Sequence, residues 1–98
     1  MKTPESKVKK KVDEYLKAIG AYVIKPATFG FGASGAADRV CCIGGKFVSI
    51  EVKREGKVPT PLQRLNAKLA HQAGGIAIWG DSAEHIIEQL KERLGLPD

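Results

Sequence analysis

A mixed β-sheet with helices packed on it is the fold class this sequence predicts, and three observations carry that expectation. Apolar residues recur at helical spacing in three separate stretches. Four short runs rich in Val, Ile and Phe lie between them. Glycines stand at most of the junctions. Taken in order, these segments read αβββαβα.

The first helix is expected to open at Thr3 as cap, with Pro4 in the first helical position and Glu5 in the first turn. Val8, Val12, Leu16 and Ile19 then repeat at helical spacing with Tyr15 beside them, and Gly20 ends the helix. Lys7, Lys9, Lys10, Lys11 and Lys17 decorate its other sides, either as a solvated face or as one that meets phosphates. Residues 21–25 (AYVIK) read as a strand, and a Gly-rich loop, PATFGFGASGAA, follows. RVCCI (39–43) and KFVSIEVK (46–53) are two further strands joined by a tight Gly44-Gly45 turn. Thr60-Pro61 starts a second helix carrying Leu62, Leu65 and Leu69, closed by Gly74-Gly75. IAIW (76–79) is a fourth strand. Asp81 or Ser82 caps a last helix with Ile86, Ile87, Leu90 and Leu94, which stops at Gly95.

With 98 residues and 43% apolar content, one domain spanning residues 1–98 with a modest core is expected. The formal net charge of +5 makes polyanions plausible partners without selecting one. Cys41 and Cys42 are strand neighbours that point to opposite faces, so a bridge between them is geometrically poor. Two buried thiols in a reducing compartment are expected instead. No signal peptide or long apolar span is evident, so a cytoplasmic protein without a membrane partner is the expectation.

The hairpin register gives the chain its chemistry. If Ile43 faces Lys46 across the Gly44-Gly45 turn, counting back along both strands sets Asp38 opposite Glu51. Residues so paired hold their Cβ atoms about 4.5–5.5 Å apart, and two carboxylates at that separation repel. A divalent cation resolves the conflict, because hard cations take carboxylate oxygens as ligands. Lys53, two residues beyond Glu51, shares its face of the strand. A cross-strand ion cluster in which Lys53 only neutralises two acids is the structural alternative.

Glu5 lies within about 20° of Val12 around the first helix, on its inward stripe, where it either complements the helix dipole or reaches the acids. Thr60 and Gln63 have the spacing of a capping box, so any role of Gln63 in the site adds to capping or competes with it. Gly30 to Gly35 match G-x-G-x-x-G, but the chain runs on into a strand rather than a helix, which argues against a nucleotide cofactor. His71 and His85 have no metal-ligand spacing and read as structural or surface residues.

Glu5, Gly35-Ala36-Ala37-Asp38, Ile50-Glu51-Val52-Lys53 and Gln63, in this order behind an N-terminal helix, resemble the VRR-NUC domain of the PD-(D/E)xK nuclease superfamily, over nearly the whole chain. Such domains usually carry proline before the aspartate, where this chain has Ala37. The resemblance implies a restriction-endonuclease-like fold and phosphodiester hydrolysis with Mg²⁺ or Mn²⁺. It implies Asp38 and Glu51 as metal ligands, the Val52 carbonyl as a further one, and Lys53 acting on the water or phosphate. Glu5 would complete the metal site, and Gln63 would support Lys53 or the phosphate. Bare domains of this family occur in phages and look like homodimers acting on branched DNA such as four-way junctions. Lys9, Lys10, Ser34, Arg54 and Arg64 are then the expected contacts to nucleic acid. The competing readings are a non-catalytic nucleic-acid binder that keeps the fold, and a nucleotide-binding module using the Gly-rich loop.

Overall fold

The computed structural model describes residues 4–26 and 37–98. Its elements follow the order αβββαβα: α1 (Glu5–Ala18), β1 (Tyr22–Ile24), β2 (Arg39–Ile43), β3 (Lys46–Val52), α2 (Pro61–Gln72), β4 (Ile76–Gly80) and α3 (Ala83–Leu94). The strands form one sheet in the order β1-β2-β3-β4, antiparallel except where β3 and β4 run parallel. A parallel pair needs a crossover, and α2 supplies it. Thr3, the Gly30–Gly35 motif and Ser34 lie outside the described residues.

Pro4 is the cap position of α1 and Glu5 its first helical residue, one later than the sequence suggests. Pro4 is extended (φ −60°, ψ 143°), a backbone that a proline adopts without strain, so the helix starts after it. Gly44 and Gly45 both have positive φ (56° and 83°), as a type I′ turn requires. That turn pairs Ile43 with Lys46 and carries the register back to Arg39 opposite Ile50. Ser82, not Asp81, caps α3, its Oγ accepting from the His85 N–H at 3.1 Å. Asp81 instead accepts from the Gly56 N–H and ties down the chain leaving β3. Gly95 closes α3 in the left-handed conformation.

The core fills one side of the sheet. Val8, Val12 and Leu16 of α1 and Ala83, Ile86 and Leu90 of α3 pack on Cys41, Ile43, Val48, Ile50, Val52, Ile76 and Ile78. Burial of each large side chain here is worth about 1.5–3 kcal/mol. Gly80 is needed at the end of β4 because an added Cβ would lie 2.7 Å from Ile86 Cγ1. Cys41 is buried in this layer but Cys42 is exposed, which corrects the expectation of two buried thiols: alternation sends the second to the opposite face.

That opposite face carries Val40, Phe47, Ser49, Glu51, Ala77 and Trp79, and α2 lies across it. Gln63, Ala67 and Ala70 are the half-buried positions of α2, whereas Leu62, Leu65 and Leu69 are 44%, 50% and 51% exposed. The leucines that mark α2 in the sequence are therefore not its packing face; small side chains let it sit on the sheet. Among the described residues no helix is long and apolar enough to cross a membrane.

Candidate active site

The site forms where β2 begins and β3 ends. Asp38 stands one residue before the last paired position of β2, on the continuation of the register that faces it to Glu51. Its Oδ2 accepts from the Val52 N–H at 2.7 Å. Asp38 and Glu51 thus face each other at the end of the β2–β3 ladder, close enough for the charge of Asp38 to act on Glu51. Lys53 Nζ lies 3.9 Å from Glu51 Oε1, and both side chains are mostly shielded (16% and 15% exposed).

Shielding decides the electrostatics. Burial, then the charge and hydrogen bond of Asp38, push the Glu51 carboxyl up to about 7; Lys53 opposes the rise and Glu5 adds slightly to it. Lys9 of α1 offsets the second acid, its Nζ 3.1 Å from Asp38 Oδ1.

Gln63 serves two partners. Its Oε1 accepts from the Thr60 N–H at 2.8 Å while its own N–H donates to Thr60 Oγ1, which completes the capping box. Its Nε2 donates to Glu51 Oε1 at 2.8 Å. Capping and site contact coexist because one amide offers an acceptor and a donor on opposite sides.

The other residues singled out from the sequence are placed as follows. Glu5 is half-buried on α1, and its charge is felt at Glu51. Lys10, Arg54 and Arg64 are exposed, and Arg64 also donates to the Pro59 carbonyl. His71 and His85 are exposed. Three residues that sequence reasoning did not select adjoin the site. Arg39 forks onto Asp13 of α1 with Nε at 2.7 Å and Nη2 at 2.9 Å, and its Nη1 donates to the Asp38 carbonyl at 2.7 Å. Lys25 adds a contact to Asp13 at 3.4 Å. The four-residue spacing of Glu5, Lys9 and Asp13 marks one ridge of α1 but carries no sign of the Arg39 partner on β2.

The donor set suits a divalent cation. Among the described residues no three His, Cys, Asp or Glu side chains form a cage, so the ligands at hand are two facing carboxylates and main-chain oxygen. The N–H and C=O of one strand residue point to the same side, so the Val52 carbonyl faces Asp38 as its N–H does. Two carboxylates and a carbonyl leave room for the waters that Mg²⁺ retains. Burial and the Asp38 charge together raise the Glu51 carboxyl to about 7, and a nearby cation would offset both.

Two solved structures share this architecture. One, a VRR_NUC domain, is 26% identical, with 89% of this chain and 94% of that one covered and a TM-score of 0.75. The other, a VRR_NUC domain protein, is 19% identical over 100% of this chain and 93% of that one, with a TM-score of 0.79. No family model and no curated protein matches the chain. The mixed sheet with flanking helices is thus a restriction-endonuclease-like nuclease fold. Within that class the chain is similar to VRR_NUC domains over nearly its whole length.

Proposed function

We propose that the protein is a DNA endonuclease that hydrolyses phosphodiester bonds with Mg²⁺ or Mn²⁺, acting in the cytoplasm on branched DNA such as four-way junctions. The observation that carries this reading is that Asp38 faces Glu51, with Lys53 beside them, on a VRR-NUC fold.

When bound, a divalent cation supplies Lewis-acid polarisation of the phosphate and an acidified water. Asp38, Glu51 and the Val52 carbonyl are the residues that would hold it, with Glu5 adding negative charge nearby. Gln63 holds the Glu51 carboxylate through Oε1 and leaves its second oxygen without that partner. Lys53, largely shielded from solvent, stabilises negative charge growing on the scissile phosphate. Lys9 and Lys10 on α1, with the exposed Arg54 and Arg64, offer cations to the flanking backbone.

A homodimer fits a junction, because two sites related by a twofold axis cut symmetric strands in pairs. The outward stripe of Leu62, Leu65 and Leu69 supports a second copy packing along α2.

The test is incubation with linear, forked and four-way DNA in Mg²⁺, in Mn²⁺ and in chelator. Metal-dependent cleavage is expected, abolished by Glu51→Ala or Lys53→Ala while DNA binding persists. Binding without cleavage of any substrate would make the protein a non-catalytic binder, and undiminished cleavage by Lys53→Ala would remove that residue from the mechanism.

A further inference from the structure

Asp38 sits past the last ladder pair of its strand, where no neighbouring strand residue is paired with it. A group that is to hold a cation against Glu51 must nevertheless be fixed to within a fraction of an ångström. Its carboxylate is held by the Val52 N–H, and its main chain is held by the Arg39 side chain.

Arg39 is itself immobilised. Its side chain is only 11% exposed and makes three contacts at 2.7–2.9 Å in one guanidinium plane. Two of these go to Asp13, so rotation that released the Asp38 carbonyl would also break a bidentate pair. Arg39 in this way links the start of β2 to the middle of α1.

The same link sets α1. Asp13 follows Lys9 by four residues and Glu5 by eight, so the three side chains form one ridge along the helix. Locking Asp13 to β2 fixes how far α1 has slid along the sheet. That position is what brings Lys9 to 3.1 Å from Asp38 and the charge of Glu5 into range of Glu51.

We propose that Asp13 and Arg39 are positioning residues, a clamp that places the Asp38 carboxylate and the Glu5 end of α1 for cation binding. The inference rests on the nuclease reading for its purpose, but the placement of Asp38 can be measured without it. An ordinary structural ion pair would contribute to folding and leave Asp38 where it is. The two roles separate in experiment.

The experiment uses the full chain, ¹⁵N-labelled, as wild type, Arg39→Lys and Asp13→Asn. Lysine keeps the charge but cannot span three acceptors; asparagine keeps Arg39 and its Asp38 contact while weakening the anchor. Amide exchange at Val52, whose N–H is held by Asp38, is expected to quicken at least about tenfold in Arg39→Lys and less in Asp13→Asn. The Val48 and Ile78 amides should stay as in wild type. Mn²⁺ affinity, titrated by electron paramagnetic resonance, is expected to fall about tenfold, the usual lower bound for losing a partner behind a metal ligand. Ile87→Ala, a core change on α3 away from the site, should lower Tm without moving either readout. Wild-type exchange at Val52 in both variants would overturn the clamp. If the wild-type chain takes up no Mn²⁺ and cleaves nothing, the nuclease reading falls and Val52 exchange alone decides the clamp.

Discussion

Gln63 donates to Glu51 at 2.8 Å with the same amide group whose oxygen caps the start of its own helix. The first turn of α2 is therefore part of the site, and the acid cannot move without straining the cap. Three further observations, on Glu51, Lys9 and the leucines of α2, also have consequences that can be measured.

Gln63→Glu separates the two duties. A glutamate in this position still closes a capping box but brings a carboxylate, in place of an N–H donor, to Glu51. At pH 5 the variant is expected to melt close to wild type. At pH 8 the two facing carboxylates should lower its stability by about 1 kcal/mol or more. Thermal melts at the two pH values check this, and an unchanged gap between them would remove the Gln63–Glu51 contact.

Glu51 itself makes the cation-free protein less stable as pH rises. Its folded pKa of about 7 stands above the ordinary value of 4.5, so between these limits the folded state binds more protons than the unfolded one. Stability from this group is full below about 4.5, declines through the window to 7 and is then flat, by no more than about 3 kcal/mol in all. Asp13, whose carboxyl Arg39 holds below its usual value, acts in the opposite sense, at pH below 4. In Glu51→Gln the decline between pH 5 and pH 8 should vanish, which denaturant melts would register. A slope as steep as that of wild type would assign it to another group.

Lys9 competes with a cation for Asp38. Replacing it by Met removes an ammonium 3.1 Å from that carboxylate and should tighten Mn²⁺ binding by up to about fivefold. If Lys9 also meets the DNA backbone, the same variant should lower the slope of log affinity against log salt by about 1. Calorimetry and salt-dependent DNA binding read these independently. Weaker Mn²⁺ binding would mean that Lys9 supports the site rather than competing for it.

Leu65→Glu tests the outer face of α2. Leu65 is half exposed and α2 buries no residue fully, so folding stability should change by less than about 0.5 kcal/mol. A wild-type dimer should become a monomer by sedimentation. A monomeric wild type would leave the leucine stripe without the proposed occupant.

The hairpin was legible in the sequence because two adjacent glycines specify a turn whose geometry fixes everything paired beyond it. The helix ends were legible from Thr60, Ser82 and the glycines that follow each helix. The orientation of α2 was not: leucines at helical spacing normally mark an inward stripe, and here alanines face the sheet. The Asp13–Arg39 clamp was hidden for another reason. Its partners stand 26 positions apart, and a contact between a helix and a strand that far away leaves no periodic trace. Lys9 reads in the sequence as a contact to nucleic acid, and only the fold brings it to Asp38.

The Gly44-Gly45 turn lies about 17 Å from the acids it aligns, measured as five strand residues. Adding or removing a single residue there would shift one strand against the other by one place and present Glu51 with a different neighbour. Asp38 would then meet a side chain from the core face. The proposed cleavage would be lost through a change that touches neither acid, no lysine and none of the proposed DNA contacts, so the length of this loop is as much a specification of the site as the acids themselves.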